Sequence, residues 1–171
     1  MDVRLPGGST YWTKLKLGSI ALVTIDRRVR LCMKVDDSEP GATTPHNCVV
    51  LEPDDSNAEP WLRRSEDLAS EMAIEISGGV LEPHHASAAW REYEGADATP
   101  LGCGVVSGSQ LFLKARYVLK RPYAFVDVQQ ARVTSSVPNG PKLVVHRWQI
   151  SDQRNNVISS FPFARATLNR A

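Results

Sequence analysis

From residue 110 to 120 the chain alternates. Leu111, Leu113, Ala115, Tyr117 and Leu119 take every second position, and Gln110, Phe112, Lys114, Arg116, Val118 and Lys120 fall between them. A period of two puts one set of side chains on one face of an extended strand, whereas a helix would scatter the same residues around its axis. The pattern recurs near the start, where Val29, Leu31, Met33 and Val35 alternate with Arg30, Cys32 and Lys34. Both ends of the chain are therefore committed to sheet.

Other runs extend this reading. Leu15 and Leu17 alternate with Lys14 and Lys16, and residues 20–25 (Ile-Ala-Leu-Val-Thr-Ile) form a short apolar stretch. Asp26-Arg27-Arg28 then reads as a hairpin turn, and Asn47 to Glu52 as a further strand. Three short strands after a glycine-led start resemble the opening of a small SH3-like barrel, a pattern too widely shared to assign a family. Residues 124–128, 143–150 and 157–161 supply more strand candidates, separated by turn-forming residues.

The middle of the chain reads differently. Pro60 suits a first helical position, and Trp61, Leu68, Met72 and Ile76 recur at helical spacing before Gly78-Gly79. Residues 72–76 also fit a strand. A second helix is expected after Pro83, with Ala86, Ala89, Trp90 and Tyr93 on one face and Gly95 as its stop. The expected fold is α+β and mainly antiparallel: a small β-barrel or sandwich-like sheet with one or two helices inserted mid-chain. We expect a single domain over 1–171, β-rich in 1–52, acidic and helix-containing in 53–97, β-rich again in 98–163, with a flexible tail at 164–171.

Composition narrows the classes. The 171 residues are 42% hydrophobic and 23% charged, which suits a packed core rather than disorder. No apolar run nears the ~20 residues that span a bilayer, so no membrane partner is expected. The first residues lack the apolar stretch of a secretory signal, and three widely spaced cysteines make no disulfide framework. Both point to a reduced, cytoplasmic setting. The net charge of +1 conceals segregation. Residues 1–35 carry seven basic and two acidic groups, 36–97 three basic and fifteen acidic, and 98–171 ten basic and two acidic. Either the acidic middle packs beside the basic flanks, or the basic flanks face a polyanion.

Candidate chemistry is sparse. His84-His85 could trade protons near neutral pH beside Glu82 or Glu92, yet adjacent side chains on one helix do not converge on a single ion. Cys32, His46, Cys48 and Cys103 have the ligand types of a zinc site, and His46 and Cys48 would share a strand face, but the paired-cysteine spacing is missing. Gly102-Cys103-Gly104-Val105-Val106-Ser107-Gly108 departs from the dinucleotide fingerprint by one residue and precedes a strand, so it reads as a hairpin turn instead. Asp36-Asp37-Ser38-Glu39-Pro40-Gly41 is similar to the D-x-S-x-x-G element of PilZ-type cyclic-dinucleotide receptors. The arginine pair of those receptors is not reproduced, since Lys34 stands where the second arginine would follow Arg30, and the match is set aside as coincidence. His146, between Val144 and Trp148, reads as core-facing with one hydrogen bond.

Lys14 and Lys16, Arg30 and Lys34, and Lys114, Arg116 and Lys120 form three basic stripes, with Phe112, Tyr117, Tyr123 or Trp148 available to stack on bases. The leading expectation is a non-catalytic protein-interaction or small binding module, with no cofactor, meeting a protein partner or its own copy. A polyanion binder, such as one for nucleic acid, is the alternative, and a small enzyme using His84 or His85 with a carboxylate is the third.

Overall fold

The alternating runs fold as strands, in two sheets. The computed structural model describes residues 8–37, 46–51, 60–64, 66–84, 91–117 and 122–162. In chain order the strands are β1 (Ser9–Tyr11), β2 (Ile20–Ile25), β3 (Arg28–Lys34), β4 (His46–Val50), β5 (Trp61–Arg64), β6 (Met72–Glu75), β7 (Val80–Pro83), β8 (Arg91–Glu92), β9 (Gly104–Ser107), β10 (Gln110–Arg116), β11 (Tyr123–Asp127), β12 (Arg132–Thr134), β13 (Lys142–Val145), β14 (Arg147–Ser151) and β15 (Val157–Pro162). The larger sheet runs β1-β6-β2-β3-β4-β5-β10-β9-β13-β8, with β11 and β12 branching from β10. Its strands pair antiparallel except where β5 meets β10 side by side at Trp61 and Arg116. The smaller sheet is β15-β14-β7.

The fold is mainly β, which corrects the α+β expectation. Among the described residues the only helical segments are two three-residue 3-10 turns, Trp12–Lys14 and Glu66–Leu68. The strand expected at Lys14–Leu17 is instead the end of the first of these and the bend and turn that follow it. The helix expected from Pro60 is β5, a turn and β6. Its proposed stripe fails because Met72 is 49% exposed while Leu68 and Ile76 are buried. The local period of two prevails, burying Leu62 in β5 and Ala73 in β6. Of the second expected helix, residues 85–90 lie outside the described set, and Arg91–Glu92 is strand rather than helix. The tail 164–171 also lies outside it.

Nor is the sheet a barrel. Its path is open, ending at β1 and β8. A single parallel bridge, Asp36 to Arg132, ties the segment after β3 to β12 without continuous strand pairing.

Two layers of core explain why β2 to β5 hold the centre. Leu31, Met33, Val49 and Leu51 face one cluster, which also takes in Leu113, Trp148 and Ile150. Cys32, Cys48 and Val50 face the other, against Trp12, Val23 and Leu68. Such strands are buried on both faces, so Arg30 and Cys32, expected toward water, are enclosed. The β2–β3 hairpin closes as expected, with Asp26 (φ 50°) and Arg27 (φ 63°) at the bend. Positive φ at both central positions is the turn whose twist matches that of the strands.

The chain changes sheets three times, at Ser77–Gly79 between β6 and β7, again between β7 and β8 through residues outside the described set, and at His146 between β13 and β14. These crossings set the smaller sheet over the larger one, and the features of interest lie along that seam.

Candidate functional site

Where β7 meets the larger sheet lies a cavity of about 430 Å³. Its walls include Ile20 and Met33 from β2 and β3, Leu81 from β7, Val106 and Leu111 from β9 and β10, and Val128 after β11. Gln110, Gln129 and Ser109 bring polar groups to the lining. That volume and lining fall within the range of small-molecule sites, mostly apolar with a few directing groups. The edge of β7 contributes more. The His84 amide donates to the Arg147 carbonyl (3.0 Å), and the register pairs Glu82 with Gln149 and Leu81 with Ile150. Alternation in an antiparallel pair then directs the Leu81 N–H and C=O away from β14. Among the described residues β7 pairs with no other strand. Pro83, lacking an N–H, suits such an edge.

A second cavity of about 460 Å³ lies on the opposite face of β10 and β11. It is lined by Gln110, Phe112, Asp127, Arg132 and Thr134 with the loop after β12. Asp127 is buried, and its carboxylate accepts from Gln110 Nε2 (3.3 Å) and the Gln130 amide (3.0 Å).

A third feature was not legible in the spacing. Cys103 and His146, 43 positions apart, meet with Sγ 3.1 Å from Nδ1. Cys103 is fully buried and His146 is half-buried at the passage between sheets. Lys114 lies across from Cys103, its amide donating to the Cys103 carbonyl (2.9 Å). Its ammonium donates to the carbonyls of Ala96 and Thr99 (2.6 Å each) and sits 3.8 Å from the centre of the Tyr123 ring. Burial pushes the Lys114 pKa down, while charge at Asp97 and Cys103 pulls it back up. Burial, then Asp97, raises the Tyr93 phenol.

The residues singled out in the sequence are dispersed by comparison. Lys14 and Lys16 are exposed on and after the first 3-10 turn, Lys14 lying over Tyr11 at 5.9 Å. The Lys34 ammonium donates to the carbonyls of Trp12 (3.0 Å) and Thr13 (2.9 Å), and burial lowers its pKa. Arg30 and Lys114 are buried, Arg116 is exposed, and Lys120 lies outside the described residues. The three stripes thus leave Lys14, Lys16 and Arg116 turned to water, and two of the lysines act as internal donors. Carbonyl dipoles that already hold an ammonium leave it less to offer a phosphate.

His84 is half-buried after β7, and His85 lies outside the described residues. The Glu82 carboxylate accepts from Gln149 Nε2 (2.7 Å) and Ser151 Oγ (2.8 Å), and Glu92 is exposed on β8. Cys48 points into the apolar cluster beside Cys32. Burial first, then Cys32, pushes its thiol pKa well up, against the opposing charge of Arg63. The His46 side chain lies outside the described set. Among the described residues no three His, Cys, Asp or Glu side chains gather as metal ligands, and no helix is long and apolar enough to cross a membrane.

The glycines of residues 102–108 have structural duties. Gly104 meets the Trp148 ring, and Gly108 (φ 61°) turns the β9–β10 hairpin.

No family model matches the chain, and no match was found among curated proteins or solved structures.

Proposed function

We propose that the chain is a small binding module whose ligand, a compact and mainly apolar molecule with one polar end, occupies the cleft between the two sheets. The observation that carries this reading is the cavity at β7, where apolar side chains of both sheets line one space and the backbone edge of Leu81, which pairs with no other strand among the described residues, adjoins it. Apolar walls supply the affinity, and the Leu81 amide and carbonyl with Gln110 and Gln129 orient the polar end.

The test uses an environment-sensitive apolar dye and a panel of medium-chain fatty acids and alcohols. Val128, half-buried on the wall, is replaced by Trp to fill the space. Saturable dye binding, displaced by panel members and weakened at least about tenfold in Val128→Trp with unchanged far-ultraviolet dichroism and a cooperative unfolding transition, supports the reading; tenfold equals about 1.4 kcal/mol. Binding that ignores the substitution, or no saturable binding at all, overturns it. Tight, salt-sensitive retention on heparin that Lys14→Ala and Lys16→Ala abolish would instead favour a polyanion-binding surface.

A further inference from the structure

We propose that Cys103, set between His146 and Lys114 beneath the turn at Pro100–Gly102, is a thiol built to react with hydroperoxides. The three groups come from separate parts of the chain: the entry to β9, the crossing between sheets, and the middle of β10. Each supplies what such a reaction needs. The imidazole nitrogen 3.1 Å from the sulfur is placed to take its proton. The Lys114 ammonium is fixed by two short bonds to carbonyls and is near enough for charge on Cys103 to act on it. A cation held on the residue paired with Cys103 across β9 and β10 favours the thiolate, the form that attacks. Around these lie Asp97, whose carboxylate accepts from the Tyr123 hydroxyl (2.9 Å), and Tyr93, packed beside Cys103.

In the reaction the sulfur attacks one peroxide oxygen, so that an S–O bond forms as the O–O bond breaks. Sulfur loses two electrons and becomes sulfenic acid. The departing hydroxide takes the proton held by His146 and leaves as water. One thiol and one hydrogen peroxide give one sulfenic acid and one water.

Burial selects the oxidant. Cys103 has no exposed surface and His146 is half-buried, so the reaction requires an oxidant as small as hydrogen peroxide and excludes a bulky aromatic disulfide. The chain also carries its own controls. Cys32 and Cys48 are equally buried, but they sit in an apolar cluster that keeps the Cys48 thiol protonated.

The experiment treats the whole chain with limiting hydrogen peroxide, quenches with catalase, and unfolds it in guanidinium containing dimedone and an alkylating agent. Mass spectrometry of peptides then gives a rate for each cysteine. We expect Cys103 to form sulfenic acid at least about tenfold faster than Cys32 and Cys48, and His146→Gln to erase that advantage without changing the other two. Native Cys103 should resist the aromatic disulfide. Equal rates at the three cysteines in the unaltered chain overturn the proposal and need no variant to fold. An undiminished Cys103 rate in folded His146→Gln also overturns it.

Discussion

The indole of Trp148 lies on the backbone of Gly104. A Cβ added there would overlap the ring, and the indole N–H donates to the neighbouring Gly102 carbonyl at 3.2 Å. Trp148 belongs to the smaller sheet and Gly104 to the larger, so this contact joins the two. Gly104→Ala must displace a fully buried indole. Overpacking of this kind costs about 1–3 kcal/mol, and the lost hydrogen bond adds about 1 kcal/mol. Denaturant unfolding followed by tryptophan fluorescence should show an unfolding free energy lowered by that sum, and so an earlier midpoint.

Arg27 is exposed and holds φ at 63°, a conformation that strains any residue with a Cβ. Arg27→Gly should stabilise the β2–β3 hairpin by about 0.5–1 kcal/mol, the strain relieved being partly offset by the flexibility of glycine in the unfolded chain. Thermal unfolding checks the sign. A lower melting temperature would contradict it.

Tyr117 donates to the Asp37 carboxylate across 80 residues of chain, at 3.1 Å between buried groups. Removing the hydroxyl in Tyr117→Phe takes a donor from a buried charge, which costs about 1.5–3 kcal/mol. The same denaturant experiment tests this loss.

Lys114 makes stability depend on alkaline pH. Its pKa in the folded chain lies below the ordinary 10.5 because burial disfavours the charge. Between the folded value and 10.5 the unfolded chain holds more protons, so this group's contribution rises with pH through that window. The half-buried Tyr93 phenol, raised from 10.0, acts in the opposite sense above that value. The difference between the native chain and Lys114→Met isolates the lysine: the stability advantage of the native chain should grow as pH increases toward 10.5. A difference that is flat or shrinks would refute the assignment.

What the sequence disclosed was local. Period-two alternation marks β3 and β10, and adjacent turn residues mark the β2–β3 and β9–β10 hairpins, because hairpins pair neighbours in the chain. Helical spacing misled at Trp61, Leu68, Met72 and Ile76, where four apolar residues happened to fit a 3.6-residue period while each short stretch obeyed a period of two. The burial of Lys114 and Arg30 escaped notice because a charged residue alternating with apolar ones looks solvent-facing, and only a second packed layer shows otherwise. Cys103 and His146 carry no mutual spacing signal. Their meeting depends on β13 pairing with β9 and on the chain leaving one sheet for the other at His146.

The path of the larger sheet also bears on how the chain is made. β1 pairs with β6, Ser9 facing Ile74, so among the described residues β1 has no strand partner until more than sixty further residues have been synthesised. The β2–β3 hairpin can form at once and must wait with it. Sheets completed by such distant partners assemble slowly, and in the interval the edge of β2 that β6 will cover is open to other strands. Translation speed over residues 10 to 75 should therefore govern the yield of folded protein more than speed over the β9–β10 hairpin.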